Sequence, residues 1–217
     1  MPFTKSPNGN IKVAVITGSH PFEVPEFVDL FNNLPGIDCY IQDLDNFGAD
    51  MSDVRPYYDV VLFYCMYGQP PADQATRRSI ERLGETKQGI FVLHHGILGF
   101  SDWHIWSDII GIENRKFTYH PGESVNVEIV DANHPITKGL SGWTMLDETY
   151  KMDGAGAGSQ ILLGTQHPKS LKTLGWTRQY RNSPVFCYAS GHGKDTWADP
   201  NFRTVLERGI RWLAGKL

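Results

Sequence analysis

The stretch "GIFVLHHGILG", residues 89–99, decides the fold. Ile90, Phe91, Val92 and Leu93 form an unbroken apolar run, the pattern of a strand buried on both faces. The glycines at 96 and 99 mark a tight turn behind it. Its neighbours alternate in the same style. "IKVAVIT" (11–17), "IDCYIQDL" (37–44) and "YDVVLFYC" (58–65) read as strands, and "PEFVDLFNNL" (25–34), "PADQATRRSIERLGE" (71–85) and "SDWHIWSDIIG" (101–111) as helices. Ser101 or Asp102 is the expected cap of the third helix and Gly111 its end. Strands alternating with helices predict an α/β fold, a mostly parallel sheet with helices on both faces.

The pattern changes after residue 115. "ESVNVEIVD" (123–131) alternates apolar and polar, which predicts an antiparallel or mixed extension in the C-terminal half. "TMLDETYKM" and "SQILLGT" (159–165) are further strand regions. "LKTLGWTRQY" (171–180) and "SPVFCYAS" (183–190) form a hairpin returning to the sheet, and "NFRTVLERGIRWLAGKL" (201–217) is a closing amphipathic helix. With no repeat or linker, one domain over 1–217 is expected.

The composition, 41 % hydrophobic and 20 % charged with a formal net charge of -4, is that of a globular protein, and no cluster of Lys and Arg stands out to bind a phosphate backbone. Nucleic acid is therefore not an expected partner. No window reaches the length of a membrane span. The three cysteines, Cys39, Cys65 and Cys187, are widely spaced and read as buried reduced thiols of a cytoplasmic protein.

In parallel sheets, ligands bind beyond the C-terminal ends of the strands. That rule gathers "TGSH" (17–20), "YCMYGQPP" (64–71), "HHGILGF" (94–100) and, if the last strand is parallel, "SGHG" (190–193) on one rim. His20, His94, His95 and His192 then converge, as acid/base groups or metal ligands. Were the strand to continue, His95 would point away from His94. "LDETY" (146–150) holds two acids among apolar neighbours. As a strand it places Glu148 and Tyr150 on one face and Asp147 on the other. No GxGxxG, P-loop, GxSxG or CxxC is present. Trp103 and Trp106 either pack their helix or wall a sugar site.

In that order, "TGSHPFE", "YDVVLFY", "GIFVLHHGILGFSDWHIWSDIIG", "YHP", "HPITKGL", "DETY", "WTRQY" and "VFCYASGH" resemble the trehalose utilization (ThuA-like) family over residues 11–214. The resemblance implies a class I glutamine amidotransferase-like fold. Amidotransferases carry a nucleophilic Cys in a G-x-C-x-G elbow where this chain reads "LHHGILG", so thioester chemistry on glutamine is not expected. The resemblance matches His94, Glu148, Tyr150, Gly191 and His192 to family positions and His95 to a variable one. The family's "W-x-R-x-y-G-x-G-R-V" is here "WTRQYRNSPVF", which keeps Trp176, Arg178 and Tyr180 and alters the turn.

What the resemblance implies is an enzyme of trehalose-type disaccharide catabolism, acting on 3-keto sugars made by a partner oxidoreductase. The expected catalytic set is His94, Glu148, His192, His20 and Tyr150. The expected substrate-binding set is Trp103, Trp106, His95, His120, Asp147, Arg178 and Glu23. His94, His192 and Glu148 are the candidate ligands for a divalent metal such as zinc, the one cofactor the residue types suggest. A homodimer is compatible with the sequence. The alternative is a non-catalytic sugar-binding or regulatory module on the same fold.

Overall fold

The computed structural model describes residues 9–217, with side chains at 50–55 left aside. In chain order the elements are β1 (Ile11–Gly18), α1 (Val24–Asn32), β2 (Ile37–Asp43), α2 (Leu44–Val54), β3 (Val60–Cys65), α3 (Gln74–Glu81), β4 (Gly89–Leu93) and α4 (His104–Ile110). There follow β5 (Thr118–Ile129), β6 (Trp143–Lys151), β7 (Ser159–Gly164), β8 (Thr173–Tyr180), β9 (Ser183–Tyr188), α5 (Lys194–Trp197) and α6 (Pro200–Leu213). They build one nine-stranded sheet in the order β2-β1-β3-β4-β9-β8-β7-β5-β6. β2, β1, β3, β4 and β9 run parallel. The pairs β9–β8, β8–β7, β7–β5 and β5–β6 are antiparallel.

The apolar runs do what their period requires. Val13, Val15, Phe91 and Leu93 face one layer with α1 and α6, while Ala14, Ile16, Ile90 and Val92 face the other with α2, α3 and α4. Asp199 caps α6 by accepting from the amides of Asn201 and Phe202 at 2.9 and 2.8 Å. Gly209 lets α6 settle on the sheet. A Cβ there would lie 2.5 Å from the Phe186 ring and 3.0 Å from that of Phe91. Gly209→Ala is accordingly expected to destabilise the fold by about 1–3 kcal/mol, read as a lowered urea midpoint with an unchanged slope.

Three local expectations need correction. α4 starts at His104, and its N-cap is Trp103, which makes no side-chain cap. Ser101 instead donates to Gly68 O at 3.0 Å and Asp102 accepts from Gln69 at 2.9 Å, so both tie down the loop after β3. Of the cysteines, Cys65 and Cys187 are buried but Cys39 is half-buried, and all are free. Helix α2 has no counterpart in the sequence reading. Its Gly48 gives no helical signal yet allows close approach to α3, since a Cβ there would sit 2.6 Å from Thr76 Cα. Gly111 ends α4 as expected, at φ +76°. Among the described residues no helix is long and apolar enough to cross a membrane.

One feature of the sheet positions the site. β5 pairs with β7 through Glu128 and Ile129 and with β6 along 118–127, with a register shift between His120 and Glu123. Although β6 is the last strand of the sheet, Tyr150 touches His94 at the end of β4. The β5–β6 ribbon therefore folds back over the rim.

Candidate active site

Three strand ends and the ribbon meet at the rim. β4 stops at Leu93, and His94 takes φ +48° to begin a 3-10 turn over His94–Leu98. Histidine tolerates that conformation better than most residues, at a cost of about 1–3 kcal/mol that surrounding packing must hold. The turn is tight because Gly96 lies on β3; a Cβ there would be 2.6 Å from Phe63 O. Because the strand does not continue, His95 is not sent to the opposite side. The ring centroids of His94 and His95 are 5.4 Å apart, His95 stacks on His20 at 4.2 Å, and His192 stands 5.2 Å from His94. All four rim histidines come together.

His94 is fully buried, its Nδ1 2.9 Å from Ala189 O. A carbonyl only accepts, so Nδ1 carries the proton and Nε2 of the neutral ring offers its lone pair. The Tyr150 hydroxyl donates to that Nε2 at 2.6 Å. His192 Nδ1 lies 3.2 Å from the same atom. Glu148 Oε1 stands 3.7 Å from His94 Nε2 and 3.4 Å from His192 Nδ1. Among the described residues, this is the group whose ligand atoms lie close enough to share an ion, all within 4.8 Å.

Electrostatics separates the members. Burial pushes the Glu148 carboxyl up, but His94, His192 and Tyr150 outweigh it and leave its pKa below the ordinary value. Burial, with the charge of Glu148, drives the Tyr150 pKa well up, so it remains a hydroxyl. Burial, then His94 and His20, hold His95 down to about 2, a neutral ring. Burial likewise lowers His20.

Asp147 faces the opposite way and is spent on the backbone. It accepts from the amides of Gly191 and His192 at 2.9 and 3.0 Å and from Thr196 Oγ1 at 2.9 Å. These bonds make Asp147 a positioning residue for the loop that carries His192, and it also lines the hollow beside Glu148 and His192. Trp106 is fully buried, its Nε1 donating to Gly96 O at 2.9 Å, and Trp103 is buried beneath Arg77. Both pack α4 and form no sugar wall. His120 alternates onto the ribbon face away from Glu148 and bonds Thr118 at 3.2 Å. Arg178 lies beside Ser159 and Gly111, away from the histidines. His95 is enclosed between His20 and Tyr64, with no surface for a ligand. The altered turn after Tyr180 is a two-residue hairpin with Arg181 at φ +51°.

Of the remaining candidates, Glu23 lines a hollow of about 160 Å³ with Leu146, Glu148, His192 and Gly193. Larger hollows of about 370 Å³ near Tyr58, Arg82 and Gln88, and 530 Å³ near Ser107, Asp153 and Arg178, include no rim histidine. Converging titratable groups mark the site better than volume does. Sequence reasoning missed Tyr64, whose hydroxyl donates to His192 O at 2.8 Å, and Thr196. Tyr64 stands one residue before the end of the apolar β3, next to the rim, which is a usable signal. Thr196 had none.

Among solved structures, a protein described as ThuA-like from Parabacteroides merdae superposes with a TM-score of 0.74 at 20 % identity, covering 96 % of this chain and 91 % of that one. A second from Bacteroides uniformis gives 0.71 at 18 %, over 98 % and 95 %. A glutamine amidotransferase from Thermotoga maritima gives 0.54 at 10 %, over 94 % and 98 %. At such identities these likenesses establish the fold alone. No curated protein sequence matches. The sequence pattern of the ThuA family, described as trehalose utilisation, matches residues 45–213, a span that holds His94, Glu148, Tyr150 and His192, and the chain belongs to that family.

Proposed function

We propose that the chain is an enzyme of sugar catabolism that holds a divalent cation on His94, His192 and Glu148 and acts on 3-keto derivatives of trehalose-type disaccharides. The spacing of the ligand atoms carries this reading. The three separations are 3.2, 3.4 and 3.7 Å. A tetrahedral ion with bonds of about 2.0–2.1 Å has ligand–ligand edges of about 3.3–3.4 Å. A direct charge-assisted contact closes to about 2.7–2.9 Å instead. Glu148 thus stands off from both imidazoles at the distance a shared ion sets. The contacts behind the ligands agree, with Nδ1 of His94 on a backbone carbonyl and the His192 backbone on Asp147. Two imidazoles, one carboxylate and an open position suit zinc in a catalytic role.

A bound divalent ion polarises a ketone oxygen and lowers the cost of charge developing on it. The chain's own groups supply the rest. In this reading His20, which lies beside His192 on the rim, takes the proton from the carbon between the ketone and the glycosidic carbon. That C–H pair becomes a carbon–carbon double bond, the glycosidic C–O bond breaks, and the departing oxygen takes a proton. Reprotonation without departure gives isomerisation. Neither outcome changes the oxidation state, so the ketone has to come from an oxidoreductase acting earlier.

The test offers the purified protein 3-keto-trehalose and trehalose in deuterated buffer, with product analysis by NMR. The expected result is conversion of the keto sugar, with exchange or loss of its carbon-2 proton, and no conversion of trehalose. Tight binding of either sugar with no turnover would establish the binding-module alternative instead.

A further inference from the structure

We infer that Tyr150 regulates access of the metal to this site, capping the His94 lone pair in the metal-free protein and releasing it when the ion binds. The inference rests on the metal reading above. Nε2 of His94 has one lone pair, because Nδ1 is protonated toward Ala189 O. In the structure that lone pair accepts the Tyr150 hydroxyl at 2.6 Å. An ion on His94 needs the same lone pair, so hydroxyl and metal exclude each other.

The distance also argues against Tyr150 as a fourth ligand in this arrangement. A ligand oxygen on the shared ion would stand about 3.3–3.4 Å from Nε2. At 2.6 Å the hydroxyl is too close, and the geometry is that of a hydrogen bond. Tyr150 is held by packing that does not depend on the bond. It is 2 % exposed, its ring sits edge-on to Phe117 at 5.8 Å, and its carbonyl accepts from Leu171 N at 2.6 Å. Turning the O–H bond alone leaves the oxygen 2.6 Å from Nε2, where the ion has to sit, so loading requires the Tyr150 phenol to swing off Nε2. Freed from Nε2, the hydroxyl has the Glu148 carboxylate beside it as an acceptor, in competition with an oxygen-bearing ligand on the ion.

This arrangement predicts opposite effects from one atom. Tyr150→Phe keeps the ring and removes the competitor. Zinc should bind the variant about twofold to tenfold more tightly, the range that the net worth of one hydrogen bond allows. Turnover of 3-keto-trehalose should fall about 10²-fold, because the freed donor is lost. A merely structural tyrosine would lower both.

The experiment titrates zinc into chelator-stripped wild type, Tyr150→Phe and His192→Ala against a chromophoric chelator, with circular dichroism as the fold control. Tighter binding by Tyr150→Phe, with binding lost in His192→Ala, supports the inference. Equal affinity of Tyr150→Phe and wild type overturns it, and weaker binding by Tyr150→Phe overturns it by making Tyr150 a ligand. If folded wild type takes up no zinc, cobalt or manganese, the metal reading itself fails and the inference falls with it.

Discussion

Glu148→Gln is expected to lower turnover of a 3-keto disaccharide by about 10³-fold while leaving the fold intact. The amide has the shape of the carboxylate and fits the same 9 % exposed position. What it removes is charge. Among the described residues Glu148 is the one carboxylate facing both His94 Nε2 and His192 Nδ1, and a neutral amide oxygen is a poor substitute beside a doubly charged ion. Metal content by elemental mass spectrometry should fall together with kcat. Stability gives a second, independent readout. The native pKa of Glu148 lies below the ordinary 4.5, so its ionised form adds stability that is present above that value and lost as pH falls through the native pKa. The stability difference between wild type and variant should therefore shift in favour of the variant on acidification below about pH 4.5. Wild-type kcat in the variant would remove Glu148 from the reaction.

The sheet was legible because its strands are buried on both faces, so apolar runs such as "VVLFYC" need no periodicity to be recognised. The convergence of His20, His94, His95 and His192 was legible for the same reason, since strand ends of a parallel sheet must share a rim. The strand parity of "LDETY" separated Asp147 from Glu148 and Tyr150, and the structure keeps that separation. Where reading failed, the cause was local backbone geometry. Period-two reasoning cannot anticipate that the chain leaves β4 at Leu93 with His94 at positive φ, which brings His95 to the side that a continued strand would have turned it from. Trp103 and Trp106 follow the rim closely in sequence, but α4 turns them into the core. Nothing in the sequence announces that β6, the outermost strand, folds back to deliver Tyr150 to β4. The physical devices are the register shift between His120 and Glu123 and the left-handed Gly122 at φ +67°, both invisible to composition.

Asp147→Ala should be the most destabilising single change near the site, costing about 3–5 kcal/mol. A carboxylate is suited to its place because four donors converge there, the amides of Glu148, Gly191 and His192 and the Thr196 hydroxyl, and it can accept from all of them without offering a competing hydrogen. Removing it leaves the amides of Gly191 and His192 without that acceptor in a region where water does not replace it. Each orphaned group adds its own desolvation cost, about 1–3 kcal/mol. For a chain of this length the melting temperature should drop by about 10 °C. Thr196→Val, which removes one donor and keeps the acceptor, should cost only about 1 kcal/mol. The functional consequence follows from the same bonds. His192 is held by its backbone on Asp147 and Tyr64 while its ring is 37 % exposed, so a loosened loop frees the ring to leave the site. Zinc affinity of Asp147→Asn, which keeps the volume but turns an amide toward the donors, should fall about 10- to 100-fold at a temperature where the variant is still folded. A variant that melts within about 2 °C of wild type and binds zinc equally well would show that the loop over Ser190–Thr196 is held by its Trp197 and Tyr64 contacts instead.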